Sequence, residues 1–327
     1  MRKRLTTIIV SILAIVAFAA AAIQASGSGG GGGPRTKLTV VAPAAPGGGW
    51  DAFAREGQQA LRLNGISGTI QVVNIPGAAG TIGLTQVAGM GGREDIMLVS
   101  GGVMVGGILV NNSTVTLEDV TPIARLADDY NVLVVPGDSP LETLDDFLEV
   151  FMADPTGTAI AGGSLGGIDH VLAGLIADAS GIDPQAVNYI AYSGGGEVVT
   201  SLLSHTTVAG LSGYNDFRDQ IESGNMRALA ISSEERLEGL DIPTFTELGL
   251  DVSMANWRGY VAPPGISDEI RNELVAMLGE MVETEEWADT LRRNNWEGNF
   301  MGGDEFAEFL DEEIATTEQI LRELGLL

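Results

Sequence analysis

Residues 37 to 51 read KLTVVAPAAPGGGWD and place a strand, a turn and the start of a helix in one short run. The β-branched residues before Pro43 are typical of a buried strand, because such side chains pack well on a pleated surface. The glycines at 47–49 predict a turn, and apolar residues at helical spacing follow over residues 51–63. The stretch therefore predicts a strand–turn–helix unit.

Units of this kind recur along the chain. Further strands are predicted at 69–73, 96–99, 131–135, 158–161, 188–191 and 227–231. Helices follow most of these strands, and the C-terminal third is helical. This alternation predicts an α/β fold in which the sheets are mostly parallel.

Five glycine-rich turns connect predicted strands to helices, at 46–50, 76–80, 100–102, 162–167 and 193–196. Open α/β sheets bind ligands at the carboxyl ends of their strands. Glycines let backbone N–H groups approach a ligand, and a helix N-terminus adds about half a positive charge, so such turns can hold an anion without Lys or Arg. Any single turn is equally well explained by tight packing. The two groups of turns, before and after the strand at 131–135, predict a cleft between two lobes.

Residues 1–25 have the pattern of a secretory signal peptide. Positive residues at 2–4 precede an apolar run at 5–23, and small residues at 19–25 offer cleavage sites. An uncleaved membrane anchor is the alternative, because the run approaches the ~20 residues that span a bilayer. Residues 26–35 form a glycine-rich leader. We therefore expect an exported, periplasmic or otherwise extracytoplasmic protein.

The composition excludes several classes of function. The chain has 44 Asp+Glu against 17 Lys+Arg, a net charge of −27, and loss of the signal peptide would remove three cations and no acid to give −30. Such a charge argues against a nucleic-acid partner. No cysteine is present, and the two histidines are His170 and His205, which excludes disulfides, thiol nucleophiles and multi-histidine metal sites. We expect no metal and no cofactor.

Several motifs, each weak alone, together resemble a known family. They are PGGGWD at 46–51, NIPGAAGTIG at 74–83, YSGGGE at 192–197 and NWRG at 256–259. In this order, over residues 37–327, the chain is similar to the extracytoplasmic solute receptors of tripartite tricarboxylate transporters, and most similar to their tricarboxylate-type branch.

The resemblance implies a two-lobed periplasmic-binding-protein fold of type II, with a ligand cleft between lobes that close on a carboxylate. Residues 36–129 and 253–327 would form the first lobe and residues 130–252 the second. The hinge is expected near 130–135 and 250–260.

The resemblance also implies the ligand contacts. In the family, the first two turns hold one carboxylate through backbone N–H groups and waters, and the second lobe completes the cleft. The implied contacts here are Gly47, Gly48, Gly49, Pro76, Gly77, Ala78, Ala79, Gly80, Gly163, Ser164, Tyr192, Ser193 and Gly194. The residue pattern adds Trp50, Asp51, Ser100, Gly101, His170, Ser212 and Tyr214.

Some of these residues have a purely structural alternative. Asp51 is placed to cap a helix or to pair with its dipole. Trp50 is as well suited to packing as to lining the cleft. His170 is also suited to a partly buried structural position. Arg258 either neutralises a second carboxylate or forms a structural ion pair. Ser193 stands where the general branch of the family often has a cation, which leaves the ligand's identity open.

We therefore expect a monomeric binding protein, not an enzyme. It would capture a di- or tricarboxylate such as citrate and deliver it to integral membrane permease subunits. The alternative class is a sensory protein that presents its loaded form to a signalling receptor. A serine hydrolase at Ser164, whose surroundings resemble a nucleophile elbow, is disfavoured because His170 follows only six residues later.

Overall fold

The computed structural model describes residues 33–192 and 194–327. The predicted signal peptide, most of the glycine-rich leader and Ser193 lie outside the described residues. Strands and helices alternate as predicted. The strands are β1 (Lys37–Ala42), β2 (Thr69–Asn74), β3 (Ile96–Gly101), β4 (Thr121–Pro136), β5 (Ile160–Gly162), β6 (Tyr189–Ala191), β7 (Ala209–Gly213), β8 (Met226–Ile231), β9 (Ala255–Ala262) and β10 (Glu297–Gly302).

The α-helices cover both faces of the sheet. They are α1 (Gly49–Leu63), α2 (Thr81–Ala88), α3 (Gly102–Val110), α4 (Leu144–Ala153), α5 (Ile168–Ala179), α6 (Gly195–Leu203), α7 (Tyr214–Glu222), α8 (Asp268–Val282), α9 (Glu285–Asn294) and α10 (Asp304–Glu323). Within the described ranges, no helix is both long and apolar enough to cross a bilayer.

The strands join in the order β2-β1-β3-β9-β4-β7-β5-β6, and β8 and β10 also pair with β4. The outer strands are parallel: β1 pairs with β2 and β3, and β5 pairs with β6 and β7. The pairings through β9 and β4 are antiparallel. Two parallel α/β units are thus joined by antiparallel strands. We call the unit built on β1–β3 the first lobe and the unit built on β5–β7 the second lobe.

Strand β4 passes from one lobe to the other. Residues 121–130 pair with β9, and residues 131–136 pair with β7 and β8. Sequence alone predicts only the second part, because Asp128 and Asp129 interrupt the apolar pattern of the first. Both carboxylates are nevertheless buried, and each pairs with an arginine: Asp128 with Arg125 and Asp129 with Arg258.

Each lobe has a core on both faces of its strands. In β1, Leu38 and Val40 pack into one core and Val41 into the other. In β4, Leu133 and Val134 likewise enter different cores of the second lobe. This alternation is expected of strands covered on both sides. Helices α8 and α10 supply the methionine and phenylalanine side chains that the sequence predicts as core.

Candidate functional site

The glycine-rich turns gather at two edges of the molecule. Strands β1, β2 and β3 run parallel, so the turns at 46–50, 76–80 and 100–102 lie at one edge of the first lobe. The turns after β5 and β6 lie at one edge of the second lobe for the same reason. Parallel strands with crossover helices bring their carboxyl ends together. Turns far apart in the sequence therefore become neighbours.

Helix α3 brings the two edges together. A Cβ added at Gly102, the first residue of α3, would lie 2.7 Å from Ile168 Cδ1 of the second lobe. One turn later, the backbone of Gly106 lies against the Gly166 carbonyl. The first lobe thus packs directly on the turn that precedes α5, which brings the two edges next to each other.

In the first turn, the N–H groups of the first two glycines form hydrogen bonds within the protein. Gly47 N donates to Asp51 Oδ2 at 2.8 Å, and Gly48 N donates to Ala45 O at 3.0 Å. These two N–H groups are therefore not available to a ligand. In this structure the N–H groups of Gly47 and Gly48, which the sequence predicts as ligand donors, are bonded within the turn.

The free donors lie two residues further along. Helix α1 begins at Gly49, and its first regular backbone bond runs from Ala52 N to Gly48 O at 2.9 Å. The N–H groups of Gly49, Trp50 and Asp51 precede that bond, and such groups have no acceptor within their own helix. The open donors of this turn therefore lie at residues 49–51, whereas the sequence predicts them at residues 47–49.

Asp51 holds the first turn in place. Its side chain is 3% exposed and accepts hydrogen bonds from Gly47 N, Arg55 Nε at 2.9 Å and Asn74 Nδ2 at 2.8 Å. Burial opposes ionisation, but the hydrogen bonds from Arg55, Gly47 and Asn74 prevail and lower the pKa of this carboxyl. Since its oxygens already accept three hydrogen bonds, the Asp51 side chain supports the turn, while the Asp51 N–H remains one of the three that open α1.

The second turn has an unusual backbone. Four successive residues have positive φ: Gly77 at 130°, Ala78 at 48°, Ala79 at 52° and Gly80 at 90°. The left-handed region costs a residue with a Cβ about 1–2 kcal/mol, so the two alanines store strain. Gly77 and Ala78 are exposed and Pro76 is partly exposed, so the turn is open to a ligand. Strain of this kind is often found at binding sites.

Trp50 packs between the first-lobe turns. A Cβ added at Gly80 would lie 2.7 Å from the Trp50 ring, and one added at Gly101 would lie 3.2 Å from Trp50 Nε1. The third turn offers little else, since Ser100 is 0% exposed and its hydroxyl contacts Met104 Sδ at 3.9 Å. Ser100 is therefore removed from the ligand contacts. Gly101 is also buried and serves as packing surface for the indole.

In the turn before α5, two backbone N–H groups are also bonded within the protein. Gly163 N donates to Asp169 Oδ2 at 2.6 Å, and Gly167 N donates to the carbonyl of Ser164 at 3.0 Å. The Gly163 N–H is thus bonded within the protein, and Gly163 stays a predicted ligand contact. Sequence reasoning does not single out Asp169, because an acid in the first turn of a helix is commonly a partner of the helix dipole.

His170 has a structural role. Its Nδ1 accepts a hydrogen bond from Gly166 N at 3.2 Å, and its ring stacks on Tyr189 with centroids 4.1 Å apart. Burial lowers the pKa of His170 to about 4, so the ring is neutral at pH 7. His170 therefore contributes no positive charge to the site at this pH.

Two tyrosines predicted as ligand contacts, Tyr192 and Tyr214, have partners within the second lobe. Tyr192 donates its hydroxyl to Ser201 Oγ of α6 at 2.9 Å. Tyr214 is buried beside Phe217 in the core, and burial raises its pKa. The structure thus gives Tyr192 a hydrogen bond within the protein and Tyr214 a place in the core. Gly194 is exposed beside them.

Ser212 leads to a second residue that sequence reasoning missed. Its buried hydroxyl donates to Asp216 Oδ2 at 2.7 Å and is therefore engaged within the protein. Asp216 is exposed and lies against the backbone of Gly195, the first residue of α6. A carboxylate of the protein thus stands at that helix N-terminus.

Arg258 links the first turn to β4. Its Nη1 donates to the carbonyl of Gly49 at 2.8 Å, its Nη2 bonds the carboxylate of Asp129, and its guanidinium lies 4.9 Å from the centroid of the Trp296 ring. Burial raises the pKa of Asp129, against the attraction of Arg258. Of the two roles considered for Arg258, the structure shows the ion pair.

Comparison with known proteins identifies a matching family and proteins of similar sequence and fold. The family model described as "Tripartite tricarboxylate transporter family receptor" matches residues 54–326. Protein BugT of Bordetella pertussis is 29% identical over 211 residues, and the match spans 64% of this chain and 64% of BugT.

Solved structures confirm the periplasmic-binding-protein fold. The periplasmic binding protein BugD has a TM-score of 0.78 at 23% identity and covers 90% of this chain and 99% of its own. MatC from Rhodopseudomonas palustris, solved with bound malate, has a TM-score of 0.75 at 22% identity and covers 88% of this chain and 99% of its own.

Proposed function

Since the chain belongs to the tripartite tricarboxylate transporter family of receptors, we propose that it is an extracytoplasmic solute-binding protein for a di- or tricarboxylate, citrate among the candidates. It would deliver this ligand to the integral membrane permease subunits of a transporter. Members of the family are substrate-binding receptors, and a receptor needs no reaction. The malate in MatC supports a carboxylate ligand for a protein of this fold.

The observation that carries the proposal is the set of backbone donors in the first lobe. The N–H groups of Gly49, Trp50 and Asp51 open α1, and the strained turn at 77–80 lies beside them, joined through Trp50. A helix N-terminus favours a carboxylate without a cationic side chain. A chain of such negative charge needs this kind of local attraction, because its overall field repels anions.

The hydrolase alternative finds no support in the geometry. His170, the histidine nearest to Ser164 in the sequence, uses its Nδ1 to accept a hydrogen bond from the backbone of Gly166. Its ring is stacked on Tyr189. Because Nδ1 accepts that bond, the hydrogen of the neutral ring is on Nε2, and neither nitrogen can take a hydroxyl proton. We therefore propose binding without catalysis.

One substitution can remove a donor without removing the turn. Gly49→Pro deletes one N–H at the first helical position, where proline is well tolerated. The preceding Gly48 has φ −74° and ψ 164°, an extended conformation that suits a residue before proline. Gly49→Ala is the matched control, because it adds a Cβ at the same place but keeps the N–H.

Calorimetry of the chain without residues 1–25 tests the proposal with malate, citrate and their amide derivatives. We expect the acids to bind and the amides not to bind. Gly49→Pro should weaken acid binding by about 10- to 100-fold, the loss of one hydrogen bond to a charged group, and Gly49→Ala much less. Equal binding by the two variants would show that α1 does not hold the carboxylate. Failure of all carboxylates to bind would refute the receptor proposal.

Delivery to a permease has a separate test. Uptake of labelled ligand into proteoliposomes that contain the permease subunits should depend on the receptor added outside. Uptake that is the same without the receptor would contradict the transport role.

A further inference from the structure

Two helices from different lobes meet on one side of the molecule. Helix α7 belongs to the second lobe, where its Phe217 is fully buried in the core beside β4. Helix α9 belongs to the first lobe, where its Trp287 packs edge-on against Phe53 of α1 with ring centroids 6.0 Å apart. Contacts between α7 and α9 therefore join the two lobes.

Two side chains of α7 bond to the end of α9. Asn215 Nδ2 donates to the carbonyl of Asn294, and Arg218 Nη1 donates to the carbonyl of Arg293 at 3.3 Å. The same Nη1 of Arg218 lies 3.4 Å from Asn215 Oδ1. Asn215 and Arg218 are three residues apart in the helix, so they lie on one face and support each other. We call these two side chains the latch.

The carbonyls that the latch contacts belong to a helix C-terminus. Arg293 and Asn294 are the last two residues of α9, which ends where Asn295 adopts a φ of 50°. The last four carbonyls of a helix have no donor within that helix. They also carry a partial negative charge, which favours a nearby cation such as Arg218. The latch thus satisfies carbonyls of the first lobe with donors of the second.

Helix α9 is also tied to the helix that begins at the candidate site. Glu56 of α1 accepts hydrogen bonds from Thr290 Oγ1 at 3.1 Å and from Arg293 Nη1 at 3.2 Å. The open N–H groups at 49–51 begin the same helix α1. The second lobe is therefore held, through α9, to the helix whose N-terminus forms the first-lobe part of the site.

The opposite face of the first-lobe sheet carries α10, and there the lobes are joined by apolar side chains. Leu321 and Leu324 at the end of α10 pack on Val171 of α5, and a Cβ added at Gly174 would lie 2.0 Å from Leu324 Cδ2. Separating this contact would expose apolar surface to water. The latch is polar and the Arg218 side chain is 38% exposed, so water can replace its hydrogen bonds at a much smaller cost. The lobes therefore part more readily on the latch side.

We propose that Asn215 and Arg218 set the ligand affinity of the protein without touching the ligand, because they stabilise the arrangement in which the two lobes are closed. The inference rests on the proposed function, with closure of the lobes around a carboxylate. A ligand that contacts both lobes favours the closed arrangement. Loss of the latch lowers the apparent affinity by the factor by which the closed population falls. That factor is a property of the protein, so it is the same for every ligand.

Calorimetry with malate and with citrate tests the latch. Asn215→Asp keeps the shape of the side chain but places a negative acceptor opposite the carbonyl of Asn294. Residue 215 lies in the first turn of α7, where a negative charge favours the helix, so the variant should fold. We expect its affinity for each acid to fall by about 3- to 30-fold, and by the same factor for both. Gln220→Glu, which adds the same charge to the same helix, is the matched control and should bind as the wild type does.

Replacing the arginine gives a second test. Arg218→Gln should weaken the binding of both acids by one common factor. Arg292→Gln is its control, because it also removes one arginine but one that pairs with Asp289 on the surface of α9. Small-angle X-ray scattering then follows closure as ligand is added. We expect each latch variant to contract at a higher ligand concentration than its control and to reach the same radius of gyration at saturation.

The outcomes separate this inference from the function on which it rests. If Asn215→Asp and Arg218→Gln bind both acids as tightly as their controls, the latch is wrong and the carboxylate receptor stands. A larger loss for citrate than for malate would indicate direct contact or charge repulsion, since citrate has one more carboxylate, and would also overturn the latch. If no carboxylate binds to the wild type, the receptor proposal itself fails, and the latch fails with it.

Discussion

The carboxylate of Asp51 accepts a hydrogen bond from the amide of Asn74 at 2.8 Å, which ties the first turn of the candidate site to the end of β2. The same carboxylate also binds Gly47 N and Arg55. One buried side chain therefore fixes the position of the turn, the helix and the neighbouring strand. The orientation of the first backbone N–H groups of α1 depends on this fixed geometry.

Replacing Asp51 should damage both stability and binding. Asp51→Ala leaves three donors without their acceptor, and we expect a loss of about 3 kcal/mol in the free energy of unfolding. Carboxylate affinity should fall as well, because the first turn loses its anchor. Asp145→Ala, which removes an exposed acid from the first turn of α4, should cost less than about 1 kcal/mol. Urea unfolding and calorimetry measure the two effects, and equal losses in both variants would contradict the role of Asp51.

The strain in the second turn predicts a stabilising substitution. Ala79→Gly should raise the free energy of unfolding by about 0.5–1 kcal/mol, because glycine adopts φ near 52° without the steric cost borne by alanine. Ala315→Gly, at an exposed position within α10, should instead lose about 1 kcal/mol. Urea unfolding of the two variants gives the comparison. A loss of stability in Ala79→Gly would mean that the turn is not strained.

Much of the fold could be predicted from local patterns. The strand at Lys37–Ala42 and the glycine turn after it follow from β-branched residues and turn chemistry, and both are observed. The first part of β4 could not be predicted, because Asp128 and Asp129 resemble an exposed acidic pair. Their arginine partners explain their burial, and Arg258 lies more than a hundred residues away.

The glycine-rich turns of the candidate site could be predicted from the sequence, and the structure places them at the ends of parallel strands. The state of their N–H groups could not be predicted. Which N–H groups remain free depends on side chains such as Asp51 and Asp169, which occupy the N–H groups of Gly47 and Gly163. Asp216 could not be singled out from a chain with 44 acidic residues. Only the fold brings it beside Asp169.

The buried pair of Arg258 and Asp129 should show strong coupling. Arg258→Met leaves a buried carboxylate unpaired and should cost about 3–5 kcal/mol of stability, whereas Arg258→Met with Asp129→Asn should recover part of that loss. A double-mutant cycle measures the coupling. The exposed pair of Arg292 and Asp289 in α9 is the control and should give at most about 0.5 kcal/mol. Similar coupling in both pairs would contradict a structural role for Arg258.

The pKa of Asp169 predicts how stability changes with pH in the absence of ligand. Burial, with repulsion from Asp216 and Asp129, raises this pKa to about 7, against the hydrogen bonds from Gly163 and Asn131. The unfolded chain ionises Asp169 near pH 4, so between about pH 4 and pH 7 the folded state holds a proton that the unfolded state has lost. Stability from this group is therefore fully present below about pH 4 and decreases as the pH rises to about 7.

Asp169→Asn should remove that decrease. Urea unfolding at pH 4.5, 6, 7.5 and 8.5 should show the variant gaining on the wild type as pH rises, by at most about 1.4 kcal/mol per pH unit for one proton, with no further gain above the pKa. Asp219→Asn, at an exposed position of α7, is the control. Its free energy of unfolding should change with pH as that of the wild type does. Parallel curves for Asp169→Asn would mean that Asp169 ionises in the folded protein as easily as in the unfolded chain. Parallel curves would therefore contradict the raised pKa of the carboxyl beside Asn131.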